Sequence, residues 1–363
     1  MSCSTTKYVG ENQYLLDKVK ITSDSSIVKV GNIKSYLRQQ PNYKVFGLLK
    51  WPLYVYNWSG QNEKNWLNKQ LRRVGEEPEI MDTTLVEQSC NEFERYMINK
   101  GYLYAEITAN IDTSVRKKAV VNYHIIPNEP FHIRQYQTII DDSRIDSIVH
   151  LQAPKMSWIK TLFRSTPEEY TPLVHEGDLF DRDILNKERQ RMTTLLRRRG
   201  YYAFNSEYIN FVADSAFNRN LVDLDMVVKP FRYTGADGVM EERAHKPYYI
   251  NHVSIVTDYD PLNMSGKALT PVDSVLKRDL WIYYEKKGRS IHPGVLEDRN
   301  FIVPGRLYNE RHIEQTYSSF SALTALRHVN IRYDEFEEND TLKLNCTILT
   351  APAKTQGVGV EVE

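Results

Sequence analysis

A metal site, or an acid–base or thiol centre, in this chain would draw on its three cysteines, nine histidines and carboxylates. Their spacing does not build one. No HExxH, Gly-x-Ser-x-Gly or phosphate-cradling glycine loop occurs, and no His/Cys group has metal-ligand spacing. Glu76, Glu77 and Glu79 form a carboxylate cluster, in a loop ahead of a helix. Cys90 falls in a helix and Cys346 on the apolar face of the strand Leu342, Leu344, Cys346, Ile348, so both read as small core residues. Cys3 stands apart, with the polar stretch Ser-Thr-Thr-Lys behind it. It is either an incidental residue of a frayed terminus or the first residue of a mature lipoprotein, with Met1 and Ser2 foreign to it. Arg197 to Arg199 is where a nucleic-acid site would start, but a solvated helix terminus accounts for it. Lys+Arg and Asp+Glu are both 47, so no net field draws the chain to nucleic acid. The residues predict no catalysis, metal or cofactor, and leave sheet edges as the functional surface.

The elements that present such edges recur along the chain. From Asp181 to Phe204 the apolar residues Ile184, Leu185, Met192, Leu195 and Leu196 stand at helical spacing. Asp181 is placed to cap the helix, the three arginines offset its dipole, and Gly200 stops it. An aromatic turn then leads into alternating Ile209, Phe211 and Ala213, a strand. The same unit occurs at Asp82–Ile111, whose helix ends at Lys100-Gly101-Tyr102, and at Asn309–Tyr333, where His328 stands in place of the glycine. Gly177–Asp181 aligns with Gly305–Asn309 without a gap. Each copy opens with a strand of similar spacing: Leu16, Val19, Ile21, then Ile133, Tyr136, Thr138, then Ile250, Val253, Ile255. Ala119–Ile126 and Leu221–Val228 close the first two copies. The order strand, helix, helix, strand, strand predicts an α+β fold of three tandem domains, each a three-stranded sheet on two helices. Two aromatic inserts, Val45–Trp58 and the basic stretch Met156–Arg164, either cover their own cores or meet a membrane or a partner.

These motifs, with Gly-Asp-Leu-Phe-Asp (Gly177–Asp181), Gly-Arg-Leu-Tyr-Asn (Gly305–Asn309) and Arg-Gly-Tyr-Tyr-Ala-Phe (Arg199–Phe204), resemble tandem POTRA domains of the BamA/TamA superfamily of outer-membrane assembly proteins. Gln40-Pro41-Asn42, Gly75–Pro78 and Cys3-Ser-Thr-Thr-Lys are similar to the lipid-anchored TamA-like proteins (TamL) of the Bacteroidota, and Gly357–Glu363 resembles their first barrel strand. The resemblance implies a lipoprotein-like tether at 1–11, POTRA domains at 12–128, 129–231 and 245–352, a linker or exposed hairpin at 232–244, and the start of a barrel strand at 353–363. It implies an elongated periplasmic arm, cut before an outer-membrane β-barrel and lipidated at Cys3. The expected partners are a TamB-like inner-membrane-anchored protein or other assembly subunits, and unfolded outer-membrane clients. Extended chains would add to the edges Tyr104–Ile111 and Glu207–Ala213, with Tyr104, Glu106, Ile107, Tyr208, Ile209, Asn210 and Phe211 as contacts and Gly101 and Gly200 as turn glycines. The alternatives are a BamA-type essential barrel-insertion factor and a purely structural periplasmic scaffold.

Overall fold

The computed structural model describes residues 5–26, 28–45, 49–60, 62, 64–150, 171–215, 220–235, 237–259, 271–285, 288–289 and 291–353. Cys3, the insert Met156–Arg164 and the closing stretch Gly357–Glu363 lie outside them. The fold is mixed α+β. Two compact units are present: Met1–Tyr136 with Val174–Leu185 and Ala213–Leu224, and Gln137–Leu173 with Asn186–Val212 and Asp225–Glu363.

The first sheet is built from β1 (Leu15–Ser23), β2 (Glu106–Asp112) and β3 (Lys118–Ile126), in the order β1-β3-β2. β3 alternates half-buried and buried residues along its length because it is the central strand and only one face meets helices. Between β1 and β2 lie α1 (Val30–Ile33), α2 (Trp51–Trp58), α3 (Trp66–Val74) and α4 (Thr83–Asn99). Phe93 and Met97 of α4 pack with Val121, Tyr123 and Ile125 of β3 in one core. The Phe93 and Tyr123 rings meet edge-to-face at 5.1 Å, and full burial of a side chain such as Phe93 contributes about 1.5–3 kcal/mol.

The middle sheet repeats that order with β4 (His132–Ile140), β5 (Ile209–Asp214) and β6 (Leu221–Val228) as β4-β6-β5. Its helices are α5 (Ser143–Val149) and α6 (Arg182–Arg197). The 232–244 stretch is a hairpin, β7 (Phe231–Thr234) paired with β8 (Met240–Arg243).

The third sheet contains β9 (Tyr248–Thr257), β12 (Leu326–Glu338) and β13 (Thr341–Pro352) in the same arrangement, with β13 central. It differs from the three strands expected. An extra hairpin, β10 (Asp273–Lys277) and β11 (Leu280–Tyr284), pairs through β11 parallel to β9, giving β10-β11-β9-β13-β12. Leu280, Ile282 and Tyr284 join the core of this sheet, which is why the extra strand is held. The helices here are α7 (Pro293–Asp298) and α8 (Glu310–Ser321). Without a glycine stop α8 ends at Ala322 in a right-handed conformation, and Leu326 and His328 belong to β12 rather than to the helix and its turn.

Candidate functional site: the outer strand edges

The first candidate edge is β2. Among the described residues no strand lies beyond it, so every second residue directs its amide and carbonyl away from β3. Which residues these are follows from the ladder. The carbonyl of Ile125 accepts from the Asp24 amide on the β1 side at 3.2 Å, so Ile126, His124, Asn122 and Val120 turn their peptide groups toward β2. Their partners are Glu106, Thr108, Asn110 and Asp112. The peptide groups of Ile107, Ala109 and Ile111 therefore face outward, while their side chains pack on the core. Of the expected contacts, Ile107 offers backbone at the edge and Glu106 is inside the ladder. Tyr104 falls in the turn before the strand, where its carbonyl accepts from Asn128 Nδ2 at 2.6 Å and its exposed ring lies 5.5 Å from Phe131. The strand begins two residues later than the alternation suggested, because the Ala105 amide is bonded back to Tyr102 at 3.2 Å.

The second candidate edge, β5, occupies the same place in its sheet. Ser206–Tyr208 is a tight 3-10 turn, not strand, and Asn205 caps it through its side chain. The Tyr208 carbonyl accepts from the Lys229 amide at 2.8 Å, just after β6. Ile209 is extended, and its amide is turned the other way to the Ser206 carbonyl. By alternation the Asn210 amide points toward β6 and the Phe211 amide points out. Tyr208 is not an edge contact either. Its ring sits against His245 at 4.6 Å and Phe204 at 5.5 Å. Ile209 is buried, and the Arg189 guanidinium lies 5.7 Å from the centre of the Phe211 ring.

A third strand in the same position, β12, was not singled out from sequence. It is 13 residues long and outermost in its sheet. Its second half carries Asp334, Glu335, Glu337 and Glu338, charges that discourage unspecific pairing along an open edge. The signal that could have found it is the alternation from Val329 through Ile331 and Tyr333.

What holds these edges in place is a joint that recurs. Gly101 has φ +88° and Gly200 φ +106°, left-handed values that favour glycine. At the first, the Tyr102 and Gly101 amides return to Met97 and Ile98, closing α4. The freed Gly101 carbonyl accepts from Phe131 at 2.8 Å, and the Phe131 carbonyl accepts from Phe180 at 2.9 Å. At the second, Gly200 accepts from Tyr248 at 2.9 Å and Tyr248 accepts from Tyr308 at 2.9 Å. Asp82, Asp181 and Asn309 cap the following helices alike, each accepting an amide two residues on, at 2.8, 2.8 and 3.0 Å.

Charge reinforces each joint differently. Lys100 Nζ reaches Asp181 at 3.0 Å and Asp183 at 2.7 Å; burial works against its charge, but the two carboxylates outweigh it and the pKa rises. Arg197 bonds Glu310 at 2.5 Å, the Tyr202 carbonyl at 2.7 Å and the Tyr308 hydroxyl at 3.2 Å. Around it Tyr202 stacks edge-on with Tyr248 at 5.3 Å and Tyr308 at 5.1 Å. Burial pushes the Tyr308 hydroxyl up to about 12.

Among the described residues no group of three or more His, Cys, Asp or Glu is placed to hold a metal ion, and no helix is long and apolar enough to cross a membrane. No family model and no curated protein matches the chain. Among solved structures it is similar to POTRA domains 3–5 of BamA from Haemophilus influenzae at 13% identity and a TM-score of 0.40, over 95% of this chain and 99% of that one. It is also similar to POTRA domains 1–3 of the periplasmic domain of Omp85 from Anabaena at 12% identity and a TM-score of 0.27, over 95% of this chain and 98% of that one. The N-terminal domain of Omp85 from the thermophilic cyanobacterium Thermosynechococcus elongatus is similar at 11% identity and a TM-score of 0.27, over 95% and 100% of the two chains.

Proposed function

We propose that this chain is the periplasmic POTRA arm of an outer-membrane assembly or translocation factor, and that it receives extended segments of partner or client chains as added strands. The observation that supports this is the set of outward peptide groups at Ile107, Ala109 and Ile111 on β2 and at Phe211 on β5, each on the last strand of its sheet. Main-chain groups of this kind pair with almost any extended sequence. The domains of the arm are 12–128, 129–231 and 245–352. Its partner is a TamB-like inner-membrane-anchored protein, its clients are unfolded outer-membrane proteins, and Cys3 carries the lipid of a TamL-type anchor.

Proline substitution at paired positions tests the edge. Ala109→Pro and Phe211→Pro remove outward amides and leave the ladder intact, whereas Thr108→Pro and Asn210→Pro remove ladder bonds. In the full-length protein in its own cell envelope, a photocrosslinker at Glu106 should capture a partner that Ala109→Pro abolishes while circular dichroism stays unchanged. A folded Ala109→Pro, Phe211→Pro double variant with undiminished crosslinking would reject both edges. Lipidation is tested separately: mass spectrometry of the native protein should find a diacylglyceryl group on Cys3, and an unmodified Cys3 would end that assignment.

A further inference from the structure

α3 is mounted inside out. At about 100° per residue, Trp66, Leu67, Leu71 and Val74 form one stripe and Arg72 falls on the opposite side. In a helix packed on its own core the stripe would face inward. Here Arg72 faces inward. Its Nε reaches Ser59 Oγ at 3.3 Å and its Nη2 the Gly60 carbonyl at 3.3 Å, and the guanidinium lies 5.5 Å from the Tyr8 ring and 5.9 Å from the Tyr56 ring. Most of the apolar stripe is left in solvent: Trp66 is 70% exposed, Leu67 57% and Val74 73%, Leu71 is half-buried, and no residue of α3 is buried. The neighbouring α2 adds Trp51 and Trp58, both exposed and packed edge-on at 5.3 Å.

The charged residues of α3 itself are all basic. From Lys64 to Gly75 the sequence holds Lys64, Lys69, Arg72 and Arg73 and no acid; Glu63 stands just before this stretch and Glu76 just after it. Exposed tryptophans flanked by lysine and arginine on a short amphipathic helix match the boundary of an anionic bilayer, where an indole takes the interface and the cations meet phosphate. We infer that α3, with Trp51 and Trp58, is a membrane-surface contact that lays this unit on a bilayer rich in anionic phospholipid. The contact stands independently of strand addition and of any lipid on Cys3, and its test uses a chain with Cys3→Ser so that no acyl group contributes.

The measurement is co-sedimentation with vesicles of phosphatidylethanolamine and phosphatidylglycerol, beside vesicles of phosphatidylcholine alone, with brominated lipids to read tryptophan depth. The unlipidated chain should sediment with the anionic vesicles and its fluorescence should be quenched. Trp66→Ser with Val74→Ser should lower binding more than tenfold. Lys69→Gln with Arg73→Gln should lower it roughly 30-fold, from about 1 kcal/mol per surface cation. Because all four positions are exposed, these variants should melt with the parent, which keeps loss of binding distinct from loss of fold. Absence of sedimentation, or equal sedimentation of parent and both variants, overturns the inference. So does a partner protein whose crosslinking is lost in Trp66→Ser, Val74→Ser while vesicle binding is kept, because a protein then covers the stripe.

Discussion

The amide of Tyr248 donates to the carbonyl of Gly200 across 2.9 Å, tying the end of one helical turn to the first residue of the next sheet's opening strand. Gly200 holds φ +106°, and a Cβ there would stand 3.1 Å from Leu307 Cδ2 and 3.2 Å from Pro247 Cβ. Gly177 has φ +88° with open space around it. Gly177→Ala should therefore cost only the left-handed strain, about 1–2 kcal/mol. Gly200→Val should cost that and the crowding against Leu307 as well. Thermal denaturation should place Gly200→Val below Gly177→Ala, and equal midpoints would show that Leu307 and Pro247 yield freely.

Arg197 serves four acceptors with one planar group, Glu310, the Tyr202 and Phe204 carbonyls and the Tyr308 hydroxyl, and lies over the Tyr202 and Tyr308 rings. Removing it leaves Glu310 without its cation. Arg197→Met should cost roughly 2–3 kcal/mol, and Arg197→Lys should recover little because a single ammonium cannot reproduce the fork. Denaturant melts of the two variants beside the parent check this, and full recovery by lysine would reduce the site to simple charge.

His245 lies among the Phe204, Tyr208 and Phe231 rings, with Nε2 donating to the Lys229 carbonyl at 2.9 Å. Burial lowers its pKa; the bond to Lys229 and the charge of Asp142 pull upward and are outweighed. As pH falls through the unfolded value of about 6.5, the unfolded chain takes up a proton that the folded ring resists. Stability is then lost on acidification until the folded pKa is passed. His245→Phe should flatten the melting temperature between about pH 7 and pH 5 relative to the parent. A parallel slope in both proteins would place the titration elsewhere.

Cys346 is fully buried on β13, and burial pushes its thiol up to about 12. The half-buried Cys90 is raised as well, by burial and then by Glu87. Since the thiolate is the reactive form, neither should react with iodoacetamide in the folded protein at neutral pH, and both should react after denaturant is added. Mass spectrometry of pulse-labelled native protein checks this; a labelled Cys346 in the native state would mean that β13 opens.

The repeat was legible in sequence because its markers are local. A cap at Asp82, Asp181 or Asn309 and a glycine at 101 or 200 act within one turn of chain, so residue type and spacing reveal them. The β10–β11 hairpin was not legible as part of a sheet, since its parallel pairing with β9 spans a long connection and depends on Ile282 and Tyr284 finding that core. The candidate edges were legible as strands but not in parity. Whether Asn210 or Phe211 turns its amide outward is set by Lys229, just past the end of β6, and no spacing within β5 records it. The stripe on α3 has ordinary helical spacing; that it faces solvent is decided by Arg72 docking against Tyr8 and Tyr56.

The glycine joint carries a consequence for how such a chain can change. Its bonds run from Gly101 to Phe131 to Phe180 and from Gly200 to Tyr248 to Tyr308, and all of them are main-chain to main-chain. Apart from a glycine at the turn, the fitting asks for no particular side chain. It works as a standard coupling: the first and second copies carry a socket at the turn, and the second and third a plug at the opening strand. Duplication or excision of the middle copy leaves matching halves at the cut. The side chains laid over the coupling, Lys100 with two aspartates in one case and Arg197 with tyrosines in the other, are then free to diverge into separate reinforcements of the same joint.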